Sequence, residues 1–189
     1  MIKIIEEDFK DSIEVTNLSC QTIAKSINSL FKLILDTYNS NGKLVIMGNG
    51  GSSSDAQHFA AELVGKYFEI RKPLPAIAIT SDTAVITCIS NDFGYENIFS
   101  RQIECLANKN DLVVGISTSG KSNNVLNGLR TAKKKYCKTA LLTGDSFADN
   151  TLDIDLIIKV PSRNTARIQE VHGLIIHIIC NLLDKVKPL

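Results

Sequence analysis

The chain has 189 residues, 44% of them hydrophobic, with 21 Lys and Arg against 20 Asp and Glu for a net charge of +1. That length supports one domain over 1–189 with a sizeable core, and the balanced charge gives no field to draw the chain to nucleic acid or a membrane. No apolar run reaches the roughly 18 residues of a membrane span, and the opening MIKIIEEDFKDS lacks the basic flank of a signal peptide, so the expected location is cytoplasmic.

Residues 1–40 read as helix, with Ile13, Val15, Leu18, Ile23, Ile27, Leu30, Leu33 and Ile34 recurring mostly at three- and four-residue steps and a potential break at Asn17 to Cys20. The segment is too long for a connector, so it either covers the sheet or pairs with another subunit; we favour the second. NSNGK at 39–43 is a stop signal. Leu44 to Met47 then reads as a buried strand, followed by GNGGSSSDAQHFAAE at 48–62, a Gly/Ser loop leading into a helix. Three glycines allow a tight turn, and Ser52, Ser53 and Ser54 place hydroxyls beside the amides of a helix N-terminus, which is anion-binding chemistry. His58 and Glu62, at i and i+4, share one face of that helix. GNGG is neither a dinucleotide fingerprint nor a P-loop, and a lone glycine turn is more often structural than functional.

Ala76 to Thr80 reads as a second strand, Ser81 and Asp82 as a helix cap before Thr83 to Ile89, Asn91 to Gly94 as a turn, and Asn97 to Ala107 as a helix. A third strand, Asp111 to Ile116, ends in STSGKSNN at 117–124, where Ser117, Thr118, Ser119 and Ser122 supply four hydroxyls. Val125 to Lys135 reads as a helix, Thr139 to Thr143 and Leu156 to Val160 as strands with an irregular acidic connection between them, and Thr165 to Val186 as a long final helix. Strands alternating with helices imply a mostly parallel sheet covered on both faces, with ligands beyond the carboxyl ends of the strands. Both Gly/Ser loops fall there, and hydroxyls and amides without an arginine fork suit a phosphomonoester on a small sugar.

The final helix carries Gln169, Glu170, His172 and His177. Gln169 and His172 form an i, i+3 pair, whereas Gln169 and His177 are roughly 12 Å apart along a helix. Spacing alone therefore prefers His172, and His177, within HGLIIHIIC, is compatible with simple packing. Five cysteines without a CxxC pair argue against a disulfide framework or a zinc knuckle and read as reduced core thiols.

The blocks GNGGSSSDAQHFAAELVGKY, PAIAIT, NDFGYENIFSRQ, GISTSGKSNNV and TARIQEVHGLIIH, in this order over nearly the whole chain, resemble those of phosphoheptose isomerases, a group within the sugar isomerase (SIS) domain family. The resemblance implies a flavodoxin-like three-layer α/β/α sandwich with a five-stranded parallel sheet and an N-terminal helical extension. It also implies a homotetramer with active sites between subunits, acting on a phosphosugar. The implied reaction interconverts sedoheptulose 7-phosphate and D-glycero-D-manno-heptose 7-phosphate, for bacterial surface glycans. One zinc ion per site is implied on His58, Glu62, Gln169 and His177, so the resemblance prefers His177 over His172. Glu62 and His177 are the implied proton-transfer pair. Asn49, Gly50, Gly51, Ser52, Glu62, Asn91, Asp92, Ser117, Thr118, Ser119, Ser122 and Gln169 are the implied substrate contacts. The competing class is a non-catalytic SIS-domain regulator that binds a replication initiator; that branch lacks the acidic residue at the position of Glu62 and the histidine at the position of His177. SSSD in the first loop departs from the more usual small-residue run and adds hydroxyls.

Overall fold

A computed structural model describes residues 1–148 and 152–186. Five parallel strands, β1 (Leu44–Gly48), β2 (Ala76–Ala78), β3 (Leu112–Ser117), β4 (Lys138–Gly144) and β5 (Leu156–Val160), lie in the order β2-β1-β3-β4-β5. Register runs from Leu44 opposite Leu112 to Gly48 opposite Ile116, and Ser117 stands opposite Thr143. This is the flavodoxin-like order expected from the resemblance.

Because side chains alternate across a strand, each strand feeds two cores. Leu44 and Ile46 of β1 point to one face, where they meet α1 (Ile2–Asn39), α2 (Gly51–Val64) and α6 (Thr165–Val186). Val45 and Met47 point to the other, against α3 (Thr83–Phe93), α4 (Ser100–Leu106) and α5 (Asn123–Lys134). β1 and β3 are buried along their whole length, which is why they read as unbroken apolar runs rather than as alternation.

The N-terminal segment is one helix of 38 residues, about 57 Å long. No break occurs at Asn17 to Cys20: Ser19 satisfies its hydroxyl on the Val15 carbonyl within the helix. The helix ends at Asn39, and Asn41, with a left-handed φ of 57°, turns the chain away from it. Its second half buries Ile23, Ile27, Leu30, Ile34 and Tyr38 against α6 and β5, so it does cover the sheet. Its first half leaves Ile2, Ile5, Phe9 and Ile13 exposed.

Other expectations shift at their edges. α3 continues through Phe93, so Asn91 and Asp92 sit in its last turn and the reversal comes at Gly94 with φ 86°. The expected helix over 97–107 is a 3-10 turn, Tyr95–Asn97, followed by the shorter α4. β2 stops at Ala78. Asp82 is the expected cap of α3, accepting from the Val85 N–H at 3.0 Å. Of the cysteines only Cys137 and Cys180 lie in the core; Cys20, Cys88 and Cys105 are exposed. The acidic connection between β4 and β5 falls partly outside the described residues.

Candidate active site

The chain leaves β1 through α2 towards β2 on one side, and enters β3 on the other side of β1. The loops after β1 and β3 therefore part at the carboxyl end of the sheet, opening a crevice between them. Both hydroxyl-rich loops line it.

In the first loop Gly50 takes φ 55°, and a side chain added there would meet nothing within 4 Å, so the backbone faces open space. The turn is closed by Ser52 N–H donating to the Asn49 carbonyl and Ser53 N–H to the Gly50 carbonyl, both at 3.0 Å. A Cβ on Gly51 would strike the Gln169 amide, which places that residue of α6 directly over the start of α2. Ser52 is buried beneath the turn and Ser54 is exposed.

The second loop is ordered by its own hydroxyls. Ser117 Oγ donates to Ser122 Oγ at 3.0 Å, and Ser119 Oγ accepts from the Lys121 N–H at 3.1 Å. The Thr118 carbonyl accepts from the Gly144 N–H at 2.9 Å, tying the loop to the end of β4.

A brace joins the two loops. Asn49 Nδ2 donates to Asn124 Oδ1 at 2.8 Å, Asn124 Nδ2 donates back to Asn49 Oδ1 at 2.9 Å, and the Tyr95 hydroxyl donates to the same Asn49 Oδ1 at 2.9 Å. Neither Asn124 nor Tyr95 was singled out from sequence. Both stand within recognisable blocks, STSGKSNN and NDFGYEN, but nothing in a linear pattern shows that two asparagines 75 residues apart exchange amides. Asn91 and Asp92 bond to each other, Asn91 Nδ2 to Asp92 Oδ1 at 2.7 Å, and stay exposed; it is Tyr95 of this segment that reaches the first loop.

Further along α2, His58 Nε2 stands 3.2 Å from Glu62 Oε1 and 3.4 Å from His177 Nε2. The two rings meet edge to face with centroids 5.0 Å apart, and the Tyr67 ring lies 5.7 Å from that of His177. The spacing preference for His172 is overturned. His172 is fully buried, with the Thr143 backbone as the polar group beside its ring, whereas His177, a little over two turns beyond Gln169, is the one that meets His58. Burial pushes the His172 imidazole down to about 4, the nearby Thr143 backbone opposing only weakly. Asp55, one turn before His58, has a buried oxygen without a partner, and burial pushes its carboxyl up to about 6 against the pull of His58.

The donors suit a small cation. Adjacent ligands on a tetrahedral ion with bonds of about 2.0–2.1 Å are separated by roughly 3.3 Å, close to both the His58–Glu62 and the His58–His177 spacings. Two nitrogens and a carboxylate are the donor set zinc accepts. Among the described residues no group of three or more His, Cys, Asp or Glu is placed to hold a metal ion as it stands, so the cation would have to draw these side chains together; Gln169 rests on Gly51. His58, Glu62 and His177 all come from α2 and α6 on one face of the sheet, while the second loop runs into α5 and Tyr95 follows α3, on the other.

Comparison with known proteins gives concordant matches. The SIS domain family model matches residues 8–144. A phosphoheptose isomerase of Aliarcobacter butzleri is 49% identical over 164 residues, covering 87% of each chain. The solved phosphoheptose isomerase of Francisella tularensis superposes with a TM-score of 0.92 at 36% identity, covering 97% of this chain and 98% of its own. That of Neisseria gonorrhoeae gives 0.90 at 37%, with the same coverage.

Proposed function

Since the chain belongs to the SIS domain family, and its activity is that of a phosphoheptose isomerase, we propose that it interconverts sedoheptulose 7-phosphate and D-glycero-D-manno-heptose 7-phosphate through an enediol. It is a phosphosugar isomerase; the regulator reading is not favoured by any of these relatives. The observation that supports this mechanism best is the convergence of Glu62 and His177 around His58 on α2, the helix that the first hydroxyl-rich loop opens.

Isomerisation moves one proton between C1 and C2 and another between the two oxygens. Glu62, a carboxylate on the face that α2 presents to α6, removes and returns the carbon proton. His177 carries the oxygen proton, as an imidazole can accept at one ring nitrogen and donate at the other. The Gly50 and Gly51 backbone, Ser52, and the hydroxyls of Ser117, Thr118, Ser119 and Ser122 hold phosphate and sugar hydroxyls, with Asn49 bracing the two loops and Gln169 lying over the first. Asn91 and Asp92 reach the sugar chain. His58, Glu62, Gln169 and His177 would hold one zinc ion, which when bound supplies polarisation of the substrate carbonyl.

The exposed row Ile2, Ile5, Phe9 and Ile13 supports the extension over 1–40 as an oligomerisation element, and a homotetramer with active sites between subunits is the proposed assembly. Among the described residues no helix is long and apolar enough to cross a membrane. The proposed setting is the cytoplasm, feeding heptose to surface glycans.

The test is conversion of sedoheptulose 7-phosphate in deuterated water, followed by NMR. Heptose phosphate carrying deuterium at C2, formed by the wild type and lost in Glu62→Gln and His177→Gln, is the expected result. No conversion with zinc supplied would overturn the reading.

A further inference from the structure

Outside the residues that face substrate, one charged pair is almost wholly buried: the side chains of Arg71 and Asp184 are 3% and 4% exposed, with Arg71 Nε donating to Asp184 Oδ1 at 2.9 Å. Burying such a pair is costly unless every remaining donor and acceptor is used. Here most are used at the end of the helix that carries Glu62 and on the segment that follows it, with Arg71 Nη1 also reaching the Lys72 carbonyl at 3.2 Å. Arg71 Nη2 donates to the carbonyl of Glu62 itself at 2.8 Å, and Nη1 to the Leu63 carbonyl at 2.8 Å, so the guanidinium closes the last turn of α2, where carbonyls lack helical partners. Asp184 Oδ2 accepts from the backbone N–H groups of Phe68 and Glu69, both at 2.9 Å. That fixes the segment after α2, on which Tyr67 packs against the His177 ring at 5.7 Å and against Phe68 at 4.4 Å. Asp184 lies two turns beyond His177 on α6.

We propose that Arg71 and Asp184 are positioning residues that lock the end of α2 to α6, setting Glu62 through its own carbonyl and His177 through the Tyr67 ring. The pair reaches both proton-transfer groups without touching either reacting side chain. An apolar pair of the same volume would hold the helices together but leave the Glu62 carbonyl and two N–H groups without partners, while the Leu63 carbonyl would keep the Leu74 N–H at 3.0 Å. This role rests on the proposed assignment of Glu62 and His177, and the experiment separates the two.

The chain has three histidines, His58, His172 and His177, so the imidazole region of an NMR spectrum of the isotopically labelled full-length protein is readily assigned. His172, sealed in the core, reports whether the fold is intact. In Asp184→Asn the His177 signals are expected to move while those of His172 stay, with kcat falling on the order of 10- to 100-fold and KM changing little, as for a misplacement near 1 Å. Arg71→Lys, which keeps charge but cannot span both carbonyls, should give the same pattern; should Asp184→Asn fail to fold, it and Tyr67→Leu carry the test, with Tyr67→Phe restoring wild-type behaviour. An unmoved His177, or signals of His172 and His177 shifting alike, would overturn the proposal and leave the pair a general staple. Wild type that converts no heptose phosphate would sink the functional assignment instead, while the spectra still decide the clamp.

Discussion

His58 and His177 are 119 residues apart in the chain, yet their Nε2 atoms lie 3.4 Å from each other. Two neutral imidazoles at that distance either share one proton or turn both lone pairs on a common partner. Zinc is the proposed partner, and removing it is expected to abolish isomerisation, with activity restored on adding it back. His58→Ala should lower zinc affinity by on the order of 100-fold or more, read by competition with a chromogenic chelator. Unchanged zinc affinity in that variant would remove His58 from the ligand set.

Gly51→Ala separates local helix preference from site geometry. Alanine in the first turn of a helix is favoured over glycine by up to about 1 kcal/mol, so the variant should fold at least as well as wild type. The new methyl group collides with the Gln169 amide and must displace it. The expected outcome is an undiminished melting temperature with kcat/KM down about tenfold or more. Wild-type kinetics would mean that Gln169 has no part in the site.

The brace between the loops predicts graded losses. Tyr95→Phe deletes one of four hydrogen bonds on the Asn49 and Asn124 amides and should cost about 0.5–1.5 kcal/mol of stability. Asn49→Ala strands Asn124 Nδ2 as well, Oδ1 keeping only the Val125 N–H, and should cost more, raising KM as the loops drift apart. Urea unfolding and steady-state kinetics check both, and equal small effects would argue against a brace.

His172 should make the protein acid-sensitive. Its imidazole is held near 4 in the folded chain against 6.5 when free, so unfolding takes up a proton between those values. The contribution is complete above about pH 6.5 and is lost as pH falls towards 4, amounting to on the order of 3 kcal/mol. His172→Leu should flatten stability over that window, and an unchanged pH profile would contradict the assignment.

The parallel sheet was legible because each strand is a short apolar run set between loops and helices, and the final helix, Thr165–Val186, was read to the residue. Boundaries slipped where a local signal met a tertiary one: Asn91 to Gly94 looks like a turn, but α3 carries on through Phe93 until Gly94 supplies the positive φ. In the site, His58 and Glu62 were readable from helical periodicity, since both stand on one helix. His177 was not, because the ring's position depends on how α6 crosses α2, and one-dimensional spacing pointed to His172. The Asn49–Asn124 exchange and the Arg71–Asp184 pair were equally out of reach, being contacts between distant segments without any repeating pattern.

The proposed proton-transfer groups and the second of the two proposed recognition loops are carried by opposite layers of the sandwich, with the first loop and Gln169 on the side of the former. His58, Glu62 and His177 belong to the α2 and α6 side, while the serine-rich second loop, Asn124 and Tyr95 continue into the α3 and α5 side. The sheet between them acts as a partition for mutation. Substitutions that repack the second layer can reshape which sugar is welcomed while the reactive trio keeps its own core, so this architecture lends itself to acquiring new substrates by drift in one half and to redesign by exchanging the 117–124 loop with its helix.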